Sequence, residues 1–358
     1  MATLQATTPV RLGTASWLLP IRAAVVTLAG VGLLFLLVAV DLSVGDFPIP
    51  LGDVVDTLLG GGDAGQRFIV MELRLPQTMV AVAVGAALGL AGALTQTLAR
   101  NPLASPDILG ITEGAAFAAV FVIVASGASG YGGGLVTGRL QELGLPLAAF
   151  TGAILTAMLL YGFSYRRGLD VNRLVLVGIG LGATLTAGTS YLLVNSRIQD
   201  AASAQIWLSG SLTARGWEHG RPVLLTLAVL TPVALLLVRS LNAMLLGDDA
   251  ARGLGVRLQL TQLGVLVVAV GLASVSVAAV GPLEFVAFVV PQVALRLTGG
   301  SRPPLLASMV AGSILVVGAD LVTRAVLPFP LPAGIVTAAI GAPYLIWLLV
   351  RTNRRRTA

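Results

Sequence analysis

Long apolar runs separated by short polar breaks set the pattern of this chain. Ten such runs are legible, at about 21–40, 76–98, 107–127, 146–164, 173–195, 222–240, 259–280, 284–297, 304–325 and 333–351. A helix rises about 1.5 Å per residue, so roughly 20 apolar residues cross a hydrocarbon core. Most of the runs meet that length; the eighth is short. The first, from Ile21 to Val40, exceeds the roughly 7–15 residues of a signal-peptide core, and no small-x-small site follows it. It reads as an uncleaved first span. The pattern predicts an all-α polytopic membrane protein with about ten transmembrane helices.

The breaks carry the polar residues. Residues 1–20 are mixed, and Asp41–Glu72 is acidic and reads as an exposed connection with a short helix near Leu51–Leu59. Ser196–Gly220 and Ser240–Arg257 are further connections, and 352–358 is a basic tail. With the N-terminus placed in the cytoplasm and the spans alternating, 15 arginines fall on the inner side and 7 on the outer. The positive-inside rule selects that orientation, with both termini cytoplasmic.

Composition sharpens the picture. The 358 residues are 56% hydrophobic and 11% charged, against about 25% charged in soluble domains. That excludes an ordinary soluble enzyme, and the hydrophobicity excludes disorder. All 22 basic residues are arginine, so no Walker A lysine exists and any ATP must be bound by another chain. There is no Cys and one His, His219, which removes disulfides, thiolate chemistry and two-His metal motifs. The net charge of +6 fits arginine at a membrane face better than nucleic acid.

Several segments carry chemistry. Arg100-Asn101-Pro102 interrupts two runs, and Ser105-Pro106 then has the form of a helix start. Residues 241–256 are too charged to span and too long for a minimal turn. They predict two short helices around Gly247, the second capped by Asp248 or Asp249, either presented to a partner or resting on the bilayer. Asp320 and Arg324 stand at i,i+4, suited to a local ion pair. Glu113 falls about two turns into the third run, and Glu284 opens the eighth. Trp207 and the Gly216–His219 stretch read as an interfacial anchor. The spacings Gly85–Gly89 and Gly178–Gly182 suit close helix packing.

In their order along the chain, these segments resemble the FecCD-type permeases, the membrane subunits of ABC importers for ferric siderophores, haem and vitamin B12. The resemblance runs from about residue 22 to 351 and rests on ordered blocks. They are Leu73-Arg74-Leu75-Pro76, Gly92–Gln96 followed by Arg100–Ala104, and Trp207–Leu212. Then come Leu246–Gly255, Gly281–Val286 with Val290-Pro291-Gln292, and Leu331–Thr337 with Gly341-Ala342-Pro343.

The resemblance implies a type II ABC importer permease fold over residues 21–351 and no enzymatic activity of its own. It implies no cofactor on this chain, with ATP and magnesium on two partner ATPase subunits. Coupling helices at about 241–256 would meet the ATPases through Gly247, Asp248, Asp249, Ala250, Arg252 and Gly255. Arg74 and Arg324 would receive carboxylates of an extracytoplasmic binding protein; Gln77 stands where a further docking arginine is common. Arg100, Asn101, Pro102, Gly281, Pro282, Pro291, Gln292, Pro332 and Gly334 would form the turns and path-lining breaks. Gln292 replaces a histidine common in the family and, together with the Ser209–His219 segment, resembles the second permease of a ferric-enterobactin-like heterodimer in a bacterial inner membrane. A vitamin B12 or haem importer is the alternative within the family. A proton-coupled secondary transporter using Glu113 and Glu284 is the alternative outside it.

Overall fold

A computed structural model describes residues 7–12, 15–45, 47–126, 139–165, 171–325 and 331–354. Arg166, Arg167, Arg355 and Arg356, four of the 15 arginines counted on the inner side, lie outside these residues. Ahead of the helical body, strands β1 (Thr7–Leu12) and β2 (Ala15–Pro20) pair antiparallel, Thr7 opposite Pro20. The all-helical reading did not contain this ribbon; the β-branched Thr7, Thr8 and Val10 favour extended backbone.

Among the described residues, every element named after this ribbon is a helix. In chain order the helices are α1 (Ile21–Ser43), α2 (Leu51–Leu58), α3 (Ala64–Arg67), α4 (Leu75–Ala99), α5 (Ile111–Ser126), α6 (Arg139–Ser164) and α7 (Val171–Val194). They continue as α8 (Ile198–Leu208), α9 (Trp217–Met244), α10 (Asp248–Gly253), α11 (Leu258–Val280), α12 (Val286–Thr298), α13 (Leu305–Ala325) and α14 (Ala333–Arg354). Seven of the described helical stretches are long and apolar enough to cross a membrane, and α5, α12 and α14 supply shorter apolar ones. These are the ten runs read from the sequence.

Two boundaries correct that reading. A capping box of Asp63 and Gln66 starts α3, and a π-helical turn at Phe68–Arg74 carries it straight into α4. The second span thus begins well before residue 76, within the stretch expected to be an exposed connection. Helix α5 begins at Ile111 rather than 107, because Gly110 takes φ 79° and breaks the helix there. Ser105 still accepts from the backbone of Ile108, at 3.4 Å, but it starts a turn. Glu113 consequently sits in the first turn of α5, not two turns in.

Helix α4 is the axis of the packing. From Val80 to Leu98 nearly every residue is buried, and its alanines and glycines let α11, α12 and α13 approach closely. A Cβ at Gly85 would overlap the Gly312 carbonyl of α13, and one at Gly312 would overlap the Gly85 carbonyl. A second apolar cluster joins α5, α6, α7, α8 and part of α11. The outward faces stay apolar: Phe35 is 72% exposed and Leu236 80%. In water such faces would be costly; against lipid tails they are the ordinary surface.

Candidate functional site

The bundle has two distinct ends. At one, Arg100 after α4 pairs with Asp248 of α10. Arg302, between α12 and α13, donates to Asn242 Oδ1 at 2.5 Å, and Arg22 donates to the carbonyl of Leu297 at 2.8 Å. These bonds gather the start of α1 and the α4–α5, α9–α11 and α12–α13 connections. The residues were all assigned to the inner side from the arginine distribution.

The Gly247–Gly255 block lies there, and its shape differs from expectation. Helix α9 runs on unbroken to Met244, so only one short helix, α10, stands apart. Neither aspartate caps it: the N-cap is Gly247 at φ 104°, with no side-chain bond. Asp248 reaches across to Arg100, while Asp249 accepts from Arg252 at 2.9 Å and leaves its side chain 98% exposed. Gly255 also has positive φ, 82°. Ala251 is fully buried and fastens α10 to the core.

Arg100 occupies an unusual backbone position. It closes α4 at φ 47°, ψ 31°, with its own N–H bonded to Thr97 and the N–H of Asn101 bonded to Gln96. Glycine ordinarily fills this helix-ending position; an L-residue there costs roughly 1–2 kcal/mol. Past it, Asn101 Oδ1 accepts from the backbone of Leu103 at 3.0 Å, and Asp107 accepts from Thr112 at 2.7 Å. The turn ends at Gly110, packed against the backbone of Gly178 and Gly182 in α7.

At the other end lies a buried ionic network. Arg324 pairs with Asp41 of α1 and with Asp320, at 2.7 Å, on its own helix. Thr78 donates to Asp41 at 2.6 Å, and Gln77 Nε2 donates to both Asp320 oxygens at 3.1 and 3.0 Å. Asp41 is fully buried, which corrects its placement in an exposed connection: α1 extends past Val40, and Arg324 compensates the charge. Arg74 is buried and donates to the carbonyls of Leu42 and Phe47 at 2.8 and 2.6 Å. Both arginines are thus engaged within the chain.

Three sequence blocks far apart in the chain meet inside the bundle. The backbone N–H of Ser211 donates to Val280 at 2.8 Å, and that of Gly334 donates to Gly210 at 3.0 Å. A Cβ at Gly281 would crowd the Trp207 carbonyl, and one at Gly334 would overlap that of Ser209. Gly281, Pro282, Pro332 and Gly334 therefore form one junction. Trp207 is 8% exposed within it, a correction to its reading as an interfacial anchor: the backbone breaks close around it. Its neighbour in that reading, His219, lies in the first turn of α9 between Glu218 and Arg215, at 3.0 Å from each.

Pro291 and Gln292 lie buried in α12. Gln292 donates to Gln96 Oε1 at 2.7 Å, and Gln96 donates to the Phe288 carbonyl at 2.9 Å. Replacing Gln292 with leucine removes the donor to a buried oxygen, and we expect a loss of about 1–3 kcal/mol. Thermal unfolding in detergent measures it; an unchanged midpoint would show that the Gln96 oxygen needs no donor.

Sequence reading missed the Arg100–Asp248 and Asp41–Arg324 pairs, whose members are 148 and 283 residues apart. Among the described residues no cluster of three His, Asp or Glu side chains could hold a metal ion. Glu113 Oε2 is buried without a hydrogen-bond partner, and Glu284 is exposed.

The model of the FecCD transport family matches residues 33–351. The ferric enterobactin transport system permease protein FepG of Escherichia coli is 34% identical, across 87% of this chain and 91% of its own. The Fe(3+)-citrate import system permease protein YfmE of Bacillus subtilis is 38% identical, across 90% and 94%. The vitamin B12 import system permease protein BtuC of Yersinia enterocolitica is 39% identical, across 80% and 83%. A solved structure described as a metal-chelate type ABC transporter, in an inward-facing conformation, superposes with TM-score 0.76. It is 28% identical and covers 92% of this chain and 99% of its own.

Proposed function

The chain belongs to the FecCD transport family, and on that premise we propose that it is the permease subunit that carries a ferric siderophore through a bacterial inner membrane. It is a multi-pass membrane permease of an ABC importer, not an enzyme. Two ATPase subunits would bind ATP and magnesium, an extracytoplasmic binding protein would deliver the cargo, and a second permease would complete a heterodimer. Vitamin B12 or haem is the competing cargo.

The observation that carries the reading is α10. It stands apart at the arginine-rich end, anchored by Ala251, with Asp249 and Arg252 facing out. A short helix held by one buried residue and exposed on its charged side suits docking into a partner. Gly247 and Gly255, both at positive φ, set it off from α9 and α11. Both termini would then be cytoplasmic. The binding protein would dock at the opposite end. There Arg74 and Arg324 pin α1, α4 and α13, and its carboxylates would compete with Asp320 for Arg324.

Between the ends the chain offers few fixed charges to a passing ligand, which suits bulky cargo that must not bind tightly in transit. Movement of α10 would tilt the helices bordering the path and alternate access.

Purification from native membranes, with uptake measured on the deletion strain, tests the whole reading. Recovery of a second permease and an ATPase, with ferric-siderophore uptake lost, supports it. Recovery of the chain alone, with gradient-driven uptake of another solute, would sink it. Within the complex, Asp248→Arg with Asp249→Arg is expected to insert normally but to lose ATP-driven uptake. Normal ATPase assembly and uptake in that variant would remove the coupling role of α10.

A further inference from the structure

Arg100 is the one residue of the α4–α5 turn whose identity the backbone opposes. Its place at the end of α4 requires the left-handed region, which glycine or asparagine fills more readily. Nothing about the helix ending calls for arginine. The guanidinium does have a partner, the carboxylate of Asp248 in α10. Both side chains are nearly half exposed, at 42% and 45%, so the pair is not a core contact, and a surface pair of this kind adds little to stability. A strained residue whose one ion pair stabilises little is the kind of outlier that points to a functional role for the pair.

What it joins is informative. Helix α10 otherwise packs on its chain neighbours α9 and α11. Arg100 opens a turn stiffened by the Asn101–Leu103 and Asp107–Thr112 bonds. That turn ends at Gly110, which sits within van der Waals reach of the α7 backbone. The chain of contacts therefore runs from α10 through Arg100 and the rigid turn to α5 and α7. Helix α7 is mostly exposed within this chain, and inside it α7 packs on fewer helices than α4 or α11.

We propose that the Arg100–Asp248 pair is a positioning latch that hands movement of α10 to the α4–α5 turn and through it to α7. This rests on the reading of the chain as the permease of an ATP-driven importer. The pair does not touch ATP or cargo; it acts by keeping two connections moving together. Because the link is a charge pair at the surface, it is also expected to weaken with ionic strength.

The test uses the whole importer, with its partner permease, ATPases and binding protein, reconstituted in liposomes. Uptake and ATP hydrolysis are measured together. Arg100→Gly is the decisive variant, because it relaxes the backbone while deleting the guanidinium. Its thermal stability should be no lower than the parent's. Its uptake per ATP hydrolysed should fall at least about fivefold, the lower bound of typical coupling between sites. Asp248→Arg should fall similarly, and Arg100→Asp combined with Asp248→Arg should recover part of the ratio. A merely structural pair would move stability and leave the ratio alone. An unchanged ratio in a stable Arg100→Gly importer would overturn the latch and leave the importer reading intact. Uptake by the parent complex that ignores ATP would overturn that reading and the latch with it, before any variant is made.

Discussion

Arg324→Met is expected to destabilise the protein by about 3–5 kcal/mol, the usual consequence of removing one partner from a buried ionic group. The side chains of Asp41 and Asp320 are 0% and 3% exposed, and the Arg324 side chain is 23% exposed. Methionine fills much of the volume but leaves two carboxylates in an apolar setting, where Gln77 and Thr78 supply only neutral donors. Melting in detergent, followed by loss of the monodisperse peak on gel filtration, reads the change. The same replacement made together with Asp41→Asn and Asp320→Asn should regain most of the loss, because no buried charge is then unmatched. A single variant that melts with the parent would mean that the carboxylates do not need the guanidinium. The network joins α1, α4 and α13, so its failure should loosen the end where a binding protein would dock.

Gly312→Val should be the most damaging change within the packed core. Helices α4 and α13 touch backbone to backbone at Gly85 and Gly312, and a side chain at either position meets a carbonyl group that cannot rotate away. Overpacking ordinarily costs about 1–3 kcal/mol; here the helices must separate along their length, which also opens the contacts of Gly89 with Ser308. Expression of folded protein should drop sharply. Gly318→Ala is the matched control. It lies on the same helix with nothing within 4 Å of its Cβ position, and alanine there should be tolerated or improve helix stability by about 1 kcal/mol. Equal behaviour of the two variants would show that the crossing is looser than its geometry implies. Both positions are glycines in an apolar helix, and only the neighbour across the interface separates them.

The same division runs through the rest of the protein. The ten spans were legible because membrane insertion depends on local hydropathy, a property each segment carries alone. The absence of lysine and cysteine fixed what chemistry the chain lacks. The i,i+4 pair Asp320–Arg324 was legible because helix geometry brings those positions together. The spacing Gly85–Gly89 correctly marked a close approach, though not to which helix.

Tertiary structure decided what depended on distant partners. Asp41 read as exposed because acids usually are; burial became tolerable only with Arg324 beside it, 283 residues away. Residues 241–256 read as two helices because Gly247 breaks the pattern, yet packing carried α9 to Met244 and left only α10 apart. Glu113 moved to a helix start because Gly110 adopts a conformation that composition cannot reveal. Arg100 looked like part of a plain turn until Asp248 stood across from it. Hydropathy is a property of each segment against its solvent. Charge pairing and backbone contact are properties of two segments at once, and only the fold chooses the second.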